Sequence, residues 1–369
     1  MNKRAFRNLL MRKALLVTLF VMGVSMAAFC NHTMAGNEPD TTNRFPIFEH
    51  GKFGFVDRTG NVVIRQKYEE VDLFYEDLAC VLYKGKYGYI DKAGEMVIQP
   101  RFSVAGPFSD GLAPVLADGV FGYIDKTGEM VLQPMVEAGS TFSDSLAFVF
   151  VDGEFGYINT KGEMVIQPQF DDADDFSEGL ATVRVGEKFG YIDKKGEWAI
   201  RPQFDKAGKF VEDFALVQVD EKWGFVDKSG ELVIQPQFED VWYFSEGLAA
   251  VKVDGKWGYI DKTGKLVIKP MFSRARPFSE GLANVSEGGV PEDQMTLLFS
   301  KSEWLFDGHW GYIDKTGKYV ITADFDRARE FRNGLAIVAL IVDENNMKMG
   351  LIDKKGNWVW SVVERMFDF

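Results

Sequence analysis

A block reading aromatic-Gly-aromatic-(Ile/Val)-Asp-Lys-x-Gly returns along the chain with its first glycine at Gly54, Gly88, Gly122, Gly156, Gly190, Gly224 and Gly258, 34 residues apart each time. Further copies follow at Gly311 and, more loosely, at Gly350. A period this strict marks one supersecondary unit that cannot bury its own apolar face and is therefore stacked many times. The chain is a repeat array.

The copy over 248–270 shows how one unit folds. Leu248-Ala249-Ala250-Val251-Lys252-Val253 alternates and is rich in β formers, and Asp254-Gly255 supplies a two-residue turn with positive φ angles. Lys256-Trp257-Gly258-Tyr259-Ile260-Asp261 makes a second strand, Lys262-Thr263-Gly264 a second turn, and Lys265-Leu266-Val267-Ile268-Lys269 a third strand stopped by Pro270. Residues 237–247 then read as a connector carrying Phe238 and Phe244. The expected fold is all-β, with tandem 34-residue repeats of three-stranded antiparallel meanders forming an open solenoid-like array. A closed propeller-like ring is the alternative. Openness is favoured because the ninth unit stops soon after Trp358-Val359-Trp360 and no terminal segment obviously supplies a missing strand beside Phe48.

Comparison of the copies shows which chemistry each position needs. The turn glycine is present in all nine blocks, from Gly60 to Gly356, as a left-handed position requires. The acidic column is Asp in eight blocks and Asn159 in the other; both accept turn-backbone hydrogen bonds, so capping explains it better than catalysis or metal binding. The two aromatic columns, containing Trp257 and Tyr259, share one strand face, and the exchange of Tyr for Phe marks the hydroxyl as optional. Packed ladders between repeats are the expected role. Ala249 and Val251 represent invariant columns that read as a tight face. The residue between them varies from Cys80 to Ile337, which reads as a looser face and makes Cys80 a bystander.

Residues 1–35 stand outside the array. Lys3, Arg4, Arg7, Arg12 and Lys13 precede a 16-residue apolar stretch, the layout of an export signal and short for a membrane span. Cleavage after Thr33-Met34-Ala35 would leave 36–47 as a flexible lead-in and 48–369 as the array; uncleaved, the leader would anchor the protein to a membrane. Losing its five cations moves the formal charge from −13 to −18, which repels phosphate backbones and argues against nucleic-acid binding. The mature chain keeps only Cys80, so no intrachain disulfide can form.

Blocks such as Lys256-Trp257-Gly258-Tyr259-Ile260-Asp261-Lys262-Thr263-Gly264 and Lys222-Trp223-Gly224-Phe225-Val226-Asp227-Lys228-Ser229-Gly230 resemble the bacterial WG-repeat family over nearly everything from Phe48 onward. Five copies carry Phe or Tyr in place of the Trp, and Met349 departs further. The resemblance implies β-rich repeat proteins, often exported, with no general enzymatic activity and no shared catalytic set.

Site chemistry is sparse. His50 and His309 lie at different ends of the array, and no phosphate-binding loop or nucleophile motif occurs, so no catalytic, cofactor or metal residues are assigned. Asp171-Asp172-Ala173-Asp174-Asp175 lacks a calcium-loop spacing and reads as a solvated connector. The one interruption of the beat is an insertion at 286–304, within a hairpin turn. Its Pro291 opens a short helix, and Glu292, Asp293, Leu298, Phe299 and Trp304 are the candidate recognition residues. The function expected is an exported, non-enzymatic scaffold for a protein partner in the cell envelope, periplasm or extracellular space. Binding of an envelope glycan or cell-wall polymer through exposed aromatics is the alternative.

Overall fold

A computed structural model describes residues 44–133, 136–288, 308–343 and 345–365. They form nine antiparallel sheets in chain order, eight of four strands and the first of three. No helix occurs among them, hence none long and apolar enough to cross a membrane. We number the sheets as blades: blade 1 spans residues 45–68, blade 2 70–102, blade 3 104–132, blade 4 138–170, blade 5 172–204, blade 6 206–238, blade 7 240–272, blade 8 274–325 and blade 9 327–365.

Blade 7 shows how far the three-strand expectation holds. Leu248–Val253 pairs with Lys256–Asp261, and Asp254-Gly255 turns between them with φ of 49° and 74°. The third expected strand runs from Leu266 through Pro270 to Phe272 instead of stopping at the proline. Its register slips between Trp257↔Phe272 and Tyr259↔Ile268, so extra residues around Pro270 bulge opposite Gly258. Proline survives there because this strand is the outer edge of the sheet and one face of the bulge needs no donor. The blade has one more strand, and it comes first: Asp240–Val241, two residues in the segment expected to be a connector. Two residues are too short for periodicity to register.

The array closes on itself, which corrects the expectation of an open solenoid. Turn glycines of each blade rest on the outer-strand aliphatic of the blade before: Gly94 on Ile64, Gly264 on Ile234, Gly317 on Ile268, Gly356 on Ile321. Gly60 of blade 1 makes the same kind of approach to Val359 of blade 9. Phe45, Ile47 and Val56 of blade 1 are buried with Leu335 and Leu351 of blade 9. Arg58 donates to the carbonyl of Asn333 at 2.9 Å, and the amide of His50 to Glu364 Oε1 at 2.7 Å. The first strand begins at Phe45, inside the segment expected to be a flexible lead-in.

Closure makes both faces of every blade interior. The supposed looser face is mostly buried: Cys80, Thr182, Ala250 and Asn284 are all sealed. Its variety is matched locally. Pro114 and Leu216 stand where the adjacent first strand has Gly106 and Gly208, and a Cβ on either glycine would come within 3.0 Å of those side chains. Cys80 Sγ reaches the Ala105 carbonyl of the next blade at 3.8 Å, and Asn284 Nδ2 donates to the Ala328 carbonyl at 2.8 Å. Fourth strands form the rim, with Val97, Val165 and Val233 exposed. The two-residue first strands lie toward the axis, where blades converge and Ala105 and Ala275 are buried.

Candidate functional site: the ring axis

The repeated chemical groups are absorbed by folding. Asp261 Oδ1 accepts from the Thr263 and Lys265 amides at 2.9 and 3.1 Å and from the Thr263 hydroxyl at 2.6 Å; that hydroxyl is the main cause holding its pKa low. Asn159 Oδ1 caps the Lys161 and Glu163 amides at 3.0 Å, as the exchange of Asp for Asn in this column implies. Trp257 and Tyr259 are 5% and 0% exposed and the Tyr259 column is buried throughout, while Phe53, Phe155, Phe189 and Trp223 of the first column are half-buried, so the columns form no exposed aromatic stripe. Their rings pack between blades; Tyr259 lies 4.9 Å from Phe278 of blade 8.

The tyrosine hydroxyl is less dispensable than the exchange with Phe suggests. Tyr89, Tyr123, Tyr157, Tyr191, Tyr259 and Tyr312 each donate to a carbonyl in or just after the first strand of the next blade, at 2.7–2.8 Å. Burial pushes these phenols well above their usual pKa, so they stay donors. Tyr259→Phe is expected to cost about 1–2 kcal/mol, because the Arg276 carbonyl loses its donor in a dry interface. Urea unfolding measures this, and an unchanged midpoint would show that water replaces the phenol.

The lysine of the repeated block also has a structural partner. Glu212 in the turn between first and second strands accepts from the Gly247 amide of the next blade at 3.1 Å and pairs with Lys262 at 3.3 Å. Equivalent carboxylate–lysine pairs are Glu76–Lys126, Glu178–Lys228, Glu246–Lys315 and Glu280–Lys354. These groups are substantially exposed, so each pair contributes little, on the order of 0–1 kcal/mol. Their role is registry around one face of the ring.

What varies is the pair of residues before the invariant Phe that leads into the second strand, and the ring brings these pairs together around its axis. They are Asp72-Leu73, Gly106-Pro107, Ser140-Thr141, Asp174-Asp175, Gly208-Lys209, Trp242-Tyr243, Arg276-Pro277 and Arg329-Glu330, in blades 2 to 9. Contacts run from blade to blade: Tyr243 Oη would lie 3.0 Å from a Cβ on Gly208, and the Arg276 guanidinium sits over the Trp242 ring at 4.7 Å. Asp174 and Asp175, expected in a solvated connector, belong to this girdle. Asp171 and Asp174 are the exposed members of that run, and Asp171 caps the Gly186 amide at 2.7 Å.

Burial raises Asp175 to about 7, with Asp174 adding to it and Ser140 and Lys209 opposing; its Oδ1 is shut from solvent without a hydrogen-bond partner. Burial likewise lifts Asp72 to about 6 and lowers Lys209. A carboxyl with a raised folded pKa opposes folding once ionised. The penalty is absent below the unfolded value of about 4, grows through the interval up to 7 and is complete above it. Asp175→Asn is therefore expected to raise Tm by a few degrees at pH 8 and to leave it nearly unchanged at pH 4. Equal gains at both pH values in thermal melts would exclude ionisation as the cause.

The other sequence candidates separate from this girdle. Glu292, Asp293, Leu298, Phe299 and Trp304 lie outside the described residues. The neck of their insertion is described: Glu287 pairs with His309, and a Cβ on Gly308 would come 2.8 Å from the Gly288 carbonyl, so the excursion leaves and re-enters blade 8 at one point. No group of three or more His, Cys, Asp or Glu placed to hold a metal occurs among the described residues. This girdle is not assigned from the sequence; its signal there is a pair of connector positions whose combination differs in every copy.

Nine blades closed edge to edge around varied axial residues define a β-propeller. The WG containing repeat model matches residues 53–87, 87–120, 121–154, 155–189, 189–223, 223–257, 257–290 and 310–340, and the chain belongs to that family. Among curated proteins it has no match. Among solved structures, the crystal structure of the eukaryotic initiation factor superposes with a TM-score of 0.58 at 12% identity, covering 88% of this chain and 96% of that one. Dihydro-heme d1 dehydrogenase NirN in complex with DHE gives 0.43 at 12%, covering 78% and 73%. A quinonprotein alcohol dehydrogenase-like protein from Bacteroides thetaiotaomicron gives 0.35 at 11%, covering 92% and 95%. At such identities the likeness is one of fold alone.

Proposed function

We propose that the protein is an exported, non-enzymatic propeller that binds a partner protein in the cell envelope or outside the cell. The observation that carries this reading is the division of labour among positions. Repeated carboxylates, phenols, lysines and aromatics are engaged in capping, sealing and packing, and chemical variety is concentrated at the axial girdle. Propeller ends present such residues from a rigid frame, which favours recognition. The basic, apolar leader supports export.

The test is affinity capture from envelope and secreted fractions with the chain lacking its leader, which keeps every described strand. A partner retained by this chain and lost when girdle side chains are exchanged supports the reading. Hydrolysis or transfer chemistry on envelope polymers by the purified chain would overturn its non-enzymatic part.

A further inference from the structure

The axial girdle is chemically lopsided. Blades 3 and 4 contribute Gly106, Pro107, Ser140 and Thr141, and blade 5 contributes Asp174 and Asp175, with Asp172 two residues upstream. Blades 7 to 9 contribute Trp242, Tyr243, Arg276, Arg329 and Glu330, with Asp240, Arg274 and Arg327 upstream, and Glu330 pairs with Arg332 at 2.7 Å. Ala275 and Ala328 are buried in the interblade core, while the arginines on either side of them are half-buried, Arg276 lying over the Trp242 ring of blade 7. Two adjacent blades thus carry four guanidiniums in and just after their first strands, in a chain of formal charge −13.

We propose that the arc of blades 7 to 9 holds a short carboxylate-rich polypeptide segment of the partner protein; this rests on the scaffold reading above and names the chemistry of that partner. Trp, Tyr and Arg are the side chains that dominate protein–protein hot spots, and here they are half-buried on a fixed frame. The Arg276 and Arg329 backbones are held at both ends. Their amides donate to Asn284 and Ile337 at 3.1 and 2.9 Å, and their carbonyls accept from Tyr259 and Tyr312 at 2.8 Å. Arg276 lies on Trp242, which packs in turn against the core between blades 7 and 8, so the indole backs the guanidinium and is not a free sugar platform. A planar fork held this way suits a carboxylate.

Electrostatics selects a short segment over a long polyanion. Screening limits the arc's reach to about 8 Å at physiological salt, while the acidic surface repels an extended anion along its length. The aspartates of blade 5 repel carboxylates as well, which confines the segment to the basic arc.

The test uses hexaglutamate as probe in titration calorimetry against the chain without its leader. At about 20 mM salt, where screening is weak, the wild-type chain is expected to bind and to weaken as salt rises. The double variant Arg276→Gln/Arg329→Gln is expected to lose at least about tenfold in affinity, as follows from losing two charge-assisted contacts. Trp242→Phe should weaken binding less, and Lys262→Gln, on the outer carboxylate–lysine ring, should leave it unchanged. Melting curves establish that each variant is folded. No hexaglutamate binding by the wild-type chain, or binding indifferent to the double variant, overturns the inference. Equal, arginine-dependent binding of oligogalacturonate overturns the polypeptide assignment in favour of an acidic glycan. In the capture experiment, partners that survive the double variant sink this inference alone, whereas no partner at all sinks the scaffold reading and this inference with it.

Discussion

Gly258→Val is expected to lower the unfolding free energy by about 3–5 kcal/mol, at the upper end for a single substitution. Its φ is ordinary, so conformational freedom is not the reason. A Cβ at Gly258 would stand 2.5 Å from the Ile268 carbonyl oxygen and 2.7 Å from the Pro270 nitrogen, both backbone atoms of the bulged outer strand. Backbone cannot rotate away as a side chain can, so the third and fourth strands must part and their ladder with them. Gly255→Ala makes the contrasting case: that residue has φ of 74° and open space around it. Only left-handed strain applies there, worth about 1 kcal/mol. Urea unfolding of the two variants separates the mechanisms. A similar, small loss in both would show that the outer strand yields easily and that the steric account of the repeated aromatic-Gly motif is wrong.

Ile47→Asp is expected to cost about 4 kcal/mol or more, because it places an unpartnered charge in the seam between blades 1 and 9. Ile47 is buried there with Phe45, Val56, Leu335 and Leu351. The informative readout is where the damage spreads. In an open array each unit depends on its neighbours in sequence, and a terminal lesion frays one end. In the closed ring, hydrogen exchange should rise in blade 9, far away in sequence, along with blade 1. Protection retained in blade 9 would mean that the seam contributes nothing and that the ring is closed in geometry only.

Much of each blade was legible in the chain. Its 34-residue beat, the hairpin at Asp254-Gly255, the shared face of the Trp257 and Tyr259 columns and the capping role of Asp261 all follow from local rules of turns and strand alternation. The first strand was not, because Asp240–Val241 is two residues long. The hydroxyl of Tyr259 looked optional because Phe225 replaces it in another blade, yet its partner is the Arg276 carbonyl, 17 residues on and in the next sheet. The varied face holding Cys80 and Asn284 looked loose because variety usually marks exposure; here each change is matched by its neighbour across the interface. The candidate site illustrates the same limit. Trp242, Arg276 and Arg329 are far apart in sequence and unremarkable one at a time.

The sequence by itself determined the unit: which residues turn, which pair and which ring packs on the next copy. Those are local interactions, written afresh in every repeat and readable from any one of them. The tertiary structure alone decided that nine units close. Closure depends on the small rotation between neighbouring blades, summed around the ring until Gly60 meets Val359. That sum also brings the nonmatching residues of separate repeats to one axis, where they become a single surface.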